Sequence, residues 1–148
     1  MTTRIAMWSG PRNLSTAMMR SFGNRADTFV SDEPFYGAFL AASGADHPMR
    51  EQVIAAMDCD WRSVISSLRG PAPDGSPIWY QKHMWHHMTG PIGYGDFEGF
   101  THAFLIREPD RNHLRLCDNT HGRIVTATAV RGRVRRAELF GRLIPLTT

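Results

Sequence analysis

The sequence predicts an α/β domain in which a parallel sheet is flanked by helices, and three observations carry that prediction. Short apolar runs of strand length recur at residues 3–9, 28–31, 77–82 and 102–107. Helical apolar patterns lie between them, and strands alternating with helices pair in parallel through crossover connections. The chain has 148 residues, 42% of them hydrophobic and 21% charged. That is enough to bury a sizeable core in one domain without disulfides or a metal.

Taken in order, Thr-Arg-Ile-Ala-Met-Trp-Ser at 3–9 reads as a buried strand, and Gly10-Pro11-Arg12-Asn13 reads as a turn. Asn13 is placed to cap a helix over 14–22 with Leu14, Met18 and Phe22 on one face, and Gly23 stops it. Thr28-Phe29-Val30-Ser31 forms a second strand that ends at the acidic pair Asp32-Glu33 before Pro34. Val53, Met57, Trp61, Val64 and Leu68 recur at helical spacing, with Asp46 as cap, Pro48 in the first turn and Gly70-Pro71 as stop. They describe one long helix or two broken near Asp58-Cys59-Asp60. A turn at 71–76 leads into the third strand, the glycine-rich stretch 90–99 reads as a mobile loop, and the fourth strand follows. After Pro109 the periodicity fades until 137–143, which again reads as an amphipathic helix.

Composition removes several function classes. Cys59 and Cys117 are too few for a disulfide framework or a zinc site, and they read as small buried hydrophobes. No run approaches the roughly 18 apolar residues of a membrane span, and no basic segment leads a long apolar run at the N-terminus. The expectation is a cytoplasmic protein with no membrane partner. The net charge is +3, yet residues 1–106 carry −2 and residues 107–148 carry +5. Sixteen of the seventeen basic residues are Arg, in a tail without a reading element, which argues against nucleic acid as a partner.

The chemistry concentrates at strand ends. Gly10-Pro11-Arg12-Asn13-Leu14-Ser15-Thr16 lies between a strand and a helix start, where backbone N–H groups and the helix dipole favour an anion. Arg12 adds charge there, and Ser15 and Thr16 add hydroxyl donors. The loop is not a Walker A sequence, because the second Gly and the Lys of that pattern fall on Ser15 and Thr16. Lys82 and His83 end the third strand, and Glu33 ends the second. His83 and His87, four apart, would share a helix face, but no His-Glu-x-x-His pattern and no third ligand accompany them, so no metal is assigned. Trp85, Tyr94, Phe97 and Phe100 supply either core or the apolar wall of a pocket.

These residues resemble the sulfotransferase family at three places in the expected order. Residues 8–16 are similar to its 5′-phosphosulfate loop, with Arg12 on the basic position, Ser15 and Thr16 on the hydroxyl positions and Leu14 where a Gly is usual. Ser31-Asp32-Glu33-Pro34-Phe35 resembles the acidic segment whose glutamate takes the acceptor's proton. Ile106-Arg107-Glu108-Pro109 is similar to the strand end whose arginine binds the 3′-phosphate of the donor PAPS (3′-phosphoadenosine 5′-phosphosulfate). Lys82-His83 resembles the Lys-Thr-His strand end, with Met84 at the family's histidine position.

The resemblance implies a P-loop-type, sulfotransferase-like fold and transfer of a sulfuryl group from PAPS to a hydroxyl or amine of a small molecule, with no metal. Glu33 would be the base, its pKa raised by partial burial beside Phe35 and Tyr36. Lys82 and His83 would assist; Gly10 to Thr16 and Arg107 would hold the donor. Two other classes stay open. One is a nucleotide-dependent phosphoryl-transfer enzyme using the same loop with Mg²⁺, and the other is a non-catalytic, truncated relative.

The resemblance fades near residue 110, and residues 111–148 read as an atypical, incomplete end of a single domain over 1–148. The family places a serine eight residues after its arginine, and Arg115 stands there. One hypothesis for the arginine-rich stretch is a coding frame displaced between about 111 and 135 and then restored. Translating the coding DNA of that stretch in its other frames is expected to yield a helical, serine-containing segment. Absence of such a segment in either frame contradicts the displacement.

Overall fold

The computed structural model describes residues 1–11 and 13–105; Arg12 and the residues from Ile106 onward, Arg107 and Cys117 among them, lie outside the described residues. Residues 1–105 form one compact unit. In chain order it contains β1 (Thr3–Ser9), α1 (Ser15–Gly23), β2 (Thr28–Asp32), α2 (Tyr36–Ser43), α3 (Arg50–Ala56), α4 (Trp61–Leu68), β3 (Ile78–Met84) and β4 (Thr101–Leu105). Short 3-10 turns occupy Trp85–His87 and Tyr94–Phe97.

The four strands form one sheet in the order β2-β3-β1-β4, and every pairing is parallel. The registers Met7↔Lys82, Trp8↔His83 and Asp32↔Lys82 fix which side chains share a face. One face presents Tyr80, Lys82 and Met84, and α1 covers it: Phe22 stacks on Tyr80 at 4.4 Å. The opposite face presents Trp8, Trp79, Gln81 and His83. There Gln81 donates to the carbonyl of Leu68 at the end of α4, and Arg4 donates to the carbonyl of Gly70. The connection after β1 therefore leaves to one face, and those after β2 and β3 leave to the other.

Each element has a local cause. α4 buries Trp61, Val64, Ile65 and Leu68 on one stripe, and the Asp60 side chain caps it by accepting from the Ser63 N–H. α3 buries no residue, so the apolar pattern over 48–68 resolves into two helices, broken at the expected place. Met49, with φ +62, precedes α3 in place of the expected Asp46 cap. Asn13 does not cap α1 in the usual way: it accepts from the adjacent Leu14 N–H and donates to the Leu105 carbonyl, tying the loop to the end of β4. Leu14 is 74% exposed and leaves the apolar face to Met18 and Phe22.

Two further expectations are corrected. The stretch 90–99 is pinned rather than mobile, because Phe97, 1% exposed, packs on Trp8, Phe35 and Phe100. Asp96 secures it further by accepting from the Gly93 N–H and pairing with Arg62. Cys59 is half-buried beside α2 rather than a core residue. Gly90 lets that segment lie flat on Trp61, since a Cβ at this position would land within the indole. Gly90→Ala is therefore expected to cost about 1–3 kcal/mol of stability. A chemical-denaturation midpoint equal to the parent's would contradict that packing.

Candidate functional site

The strands converge on one edge at their carboxyl ends, and in open α/β sheets a ligand binds where neighbouring connections leave to opposite faces. β1 and β3 are such a pair. Their ends carry Ser9-Gly10 and Met84-Trp85, and the Trp85 indole lies against Gly10: its Nε1 is 3.2 Å from where a Cβ would be. Gly10 thus keeps backbone, not side chain, at the mouth of the loop. α1 then starts with no side-chain cap and no acidic residue in its first turn, which leaves its N-terminus electropositive. Ser15 is buried at this start and Thr16 is exposed.

Lys82 is 4% exposed, and its Nζ lies 2.7 Å from Asp32 Oδ1 and 2.5 Å from Glu33 Oε1. Burial opposes the charge, but the bonds from Asp32 and Glu33 outweigh it and hold the ammonium above its ordinary pKa. Glu33 sits just beyond β2 at φ +47, where its N–H donates to the Lys82 carbonyl and its own carbonyl accepts from Tyr36. A non-glycine residue in that region carries strain, and such strain concentrates at functional sites. The turn aims the Glu33 side chain back across the strand ends at Lys82.

The sequence expectation placed His83 beside Lys82 as an assisting base, but the pleat sends it to the opposite face. His83 is 1% exposed, stacks on Trp8 at 4.8 Å and donates from Nε2 to Gln81 Oε1 at 3.3 Å. Burial, and next the charge of His102, push its pKa down to about 3. The imidazole near Glu33 is His87, with Nδ1 at 3.9 Å from Oε2. Sequence reasoning missed this because the shared helix face expected for His83 and His87 does not form: one ends a strand and the other follows in a 3-10 turn. The only sequence signal was the pair His86-His87 directly after the strand.

Of the four aromatic residues, Phe97 and Phe100 belong to the core, Tyr94 is 45% exposed, and Trp85 is the one at the loop. Among the described residues no group of three or more His, Cys, Asp or Glu side chains is placed to hold a metal ion. No helix of the described residues is long and apolar enough to cross a membrane.

The class this defines is an α/β protein with an anion-favouring loop beside a buried cation and a carboxylate, at the switch point of a parallel sheet. Residues 3–141 match the family described as the sulfotransferase domain, and the chain belongs to that family. The match runs past residue 110, where the sequence resemblance was placed to fade. Two curated proteins of Arabidopsis thaliana are similar over 64 residues: branched-chain-amino-acid aminotransferase-like protein 1, at 47% identity, and protein 2, at 44%. The matched segment is 43% of this chain but spans only 12% and 11% of those proteins. No solved structure matches.

The buried imidazoles set an acid limit. Burial first, then His86, Lys82, His83 and His47, also bring His87 down to about 3. A histidine depressed below its ordinary 6.5 contributes stability above that pH and loses it as the pH falls towards 3, because only the unfolded chain takes the proton. The melting temperature is expected to decline once the pH drops below about 6.5, ahead of the carboxylate range. A melting temperature that stays constant from pH 7.5 to 5 contradicts this.

Proposed function

We propose that the chain forms the donor-binding part of a sulfotransferase that moves a sulfuryl group from PAPS to a hydroxyl or amine of a small molecule. The observation that carries the reading is the Lys82 ammonium on Glu33 and Asp32 at the sheet edge. It supplies a cation and a carboxylate next to the loop that opens α1. The donor, when bound, supplies the sulfuryl group; the chain supplies position and charge.

In this reading the N–H groups of the loop, Ser15, Thr16 and, by family resemblance, Arg12 hold the 5′-phosphosulfate, and Arg107 holds the 3′-phosphate. Glu33 accepts the proton of the attacking hydroxyl or amine. Lys82 turns its Nζ to the bridging oxygen, where charge develops as the sulfur leaves. His83 takes no part, being sealed on the other face. The chemistry requires no metal.

Adenosine 3′,5′-bisphosphate is expected to raise the melting temperature more than 5′-ADP does. Ligand at about 100 times its dissociation constant adds roughly 2.7 kcal/mol. Arg12→Ala should lose that shift, while Glu33→Gln should keep it and lose turnover of PAPS. An equal shift with 5′-ADP would favour phosphoryl transfer, and no shift with either in a cooperatively melting protein would favour a non-catalytic relative.

A further inference from the structure

A second set of titratable side chains lies against Glu33, and the transfer scheme leaves it unused. His87 is 4% exposed, and its ring is sandwiched between Tyr36 at 4.9 Å and Phe39 at 4.8 Å, both nearly parallel to it. His86 meets it edge-on at 4.4 Å. Packing, not polar contact, therefore fixes the plane of the imidazole. Its Nδ1 is buried without a hydrogen-bond partner, and the nearest carboxylate oxygen is Glu33 Oε2 at 3.9 Å. A buried polar atom is normally paired, and this gap exceeds a hydrogen bond by only about 1 Å.

Glu33 has two oxygens and unequal partners. Lys82 holds Oε1, and Oε2 faces His87. If Lys82 turns to the leaving oxygen during transfer, Oε1 is released, and a carboxylate on a strained backbone turn would be left free to rotate. We infer that His87 is a positioning residue for Glu33, donating from Nδ1–H to Oε2 after a small rotation of the carboxyl group and holding it while Lys82 serves the leaving group. The inference rests on the reading of Glu33 as the base.

The chemistry favours a neutral imidazole in that role. Among the described residues Glu33 is the one acidic group paired with the ring, against Lys82, His86, His83 and His47, and burial leads the causes that keep His87 uncharged near neutral pH. A neutral donor orients one oxygen without neutralising the carboxylate that must take the proton. It also fixes the tautomer, since the proton must sit on Nδ1.

The test is ¹⁵N NMR of histidine-labelled protein, with and without adenosine 3′,5′-bisphosphate, the His87 signals being assigned by their loss in His87→Phe. His87 is expected as the Nδ1–H tautomer in the parent and to shift towards Nε2–H in Glu33→Ala. An Nε2–H tautomer in the parent, or an unchanged one in Glu33→Ala, overturns the inference. In parallel, His87→Phe preserves the aromatic sandwich and should keep the bisphosphate-dependent melting shift while slowing PAPS turnover with water as acceptor. The expected loss is about 10²-fold in kcat, the cost of a 1 Å misplacement. His87→Asn restores an N–H donor at that position and should recover most of the rate. Equal kcat in His87→Phe and parent also overturns the inference. If the parent does not bind the bisphosphate, the transferase reading fails instead, and the tautomer still decides whether His87 holds Glu33.

Discussion

Burying an ammonium obliges the surrounding structure to supply negative charge, and the end of β3 shows what that obligation organises. Lys82 is the one lysine of the chain, and it is nearly sealed from solvent. Removing one partner of such a group leaves a buried charge uncompensated, so its acids must arrive from a neighbouring strand. Placing β2 beside β3 does this: the register sets Asp32 opposite Lys82, and the turn at Glu33 brings a second carboxylate back across the strand ends. The sheet order, the backbone strain at Glu33 and the position of the anion-favouring loop next door all fit round that one cation.

The pleat then separates chemistry from core within two consecutive residues. Lys82 faces the α1 side and reaches the strand-end carboxylates, while His83 faces the other side and becomes part of an aromatic core with Trp8, Phe35 and Phe97. The helices and turns that follow β2 and β3 cover that second face. On that face Gln81 bonds both His83 and the Leu68 carbonyl. At the site edge His87 Nδ1 is buried without a partner.

Much of this was legible in the residues. The four strands stood out because each is a short apolar run that ends at polar or turn residues, and the loop after β1 stood out because glycine and hydroxyl residues open a helix there. At Asp58-Cys59-Asp60 the sequence left one helix or two open, and the structure decides for two, because Asp60 caps α4 and α3 lacks a buried stripe. α2 was not: Tyr-Gly-Ala-Phe-Leu-Ala-Ala-Ser is apolar on every side and shows no helical period. Nor was the exchange of His83 for His87, since spacing by four says nothing once the strand ends between the two residues. The pinned stretch 90–99 was hidden as well, because its glycines suggest mobility whereas Phe97 and Asp96 anchor it by contacts far along the chain.

The central claim is that Lys82 and Glu33 serve sulfuryl transfer at the carboxyl edge of this sheet. The most direct measurement is label transfer from ³⁵S-labelled PAPS to a panel of small alcohols, phenols and amines, comparing the parent with Lys82→Met and running γ-³²P-labelled ATP in parallel. The account predicts a ³⁵S-labelled product from the parent, none above background from Lys82→Met, and no ³²P product. A ³²P-labelled product, or ³⁵S transfer that is undiminished in a folded Lys82→Met protein, would contradict it.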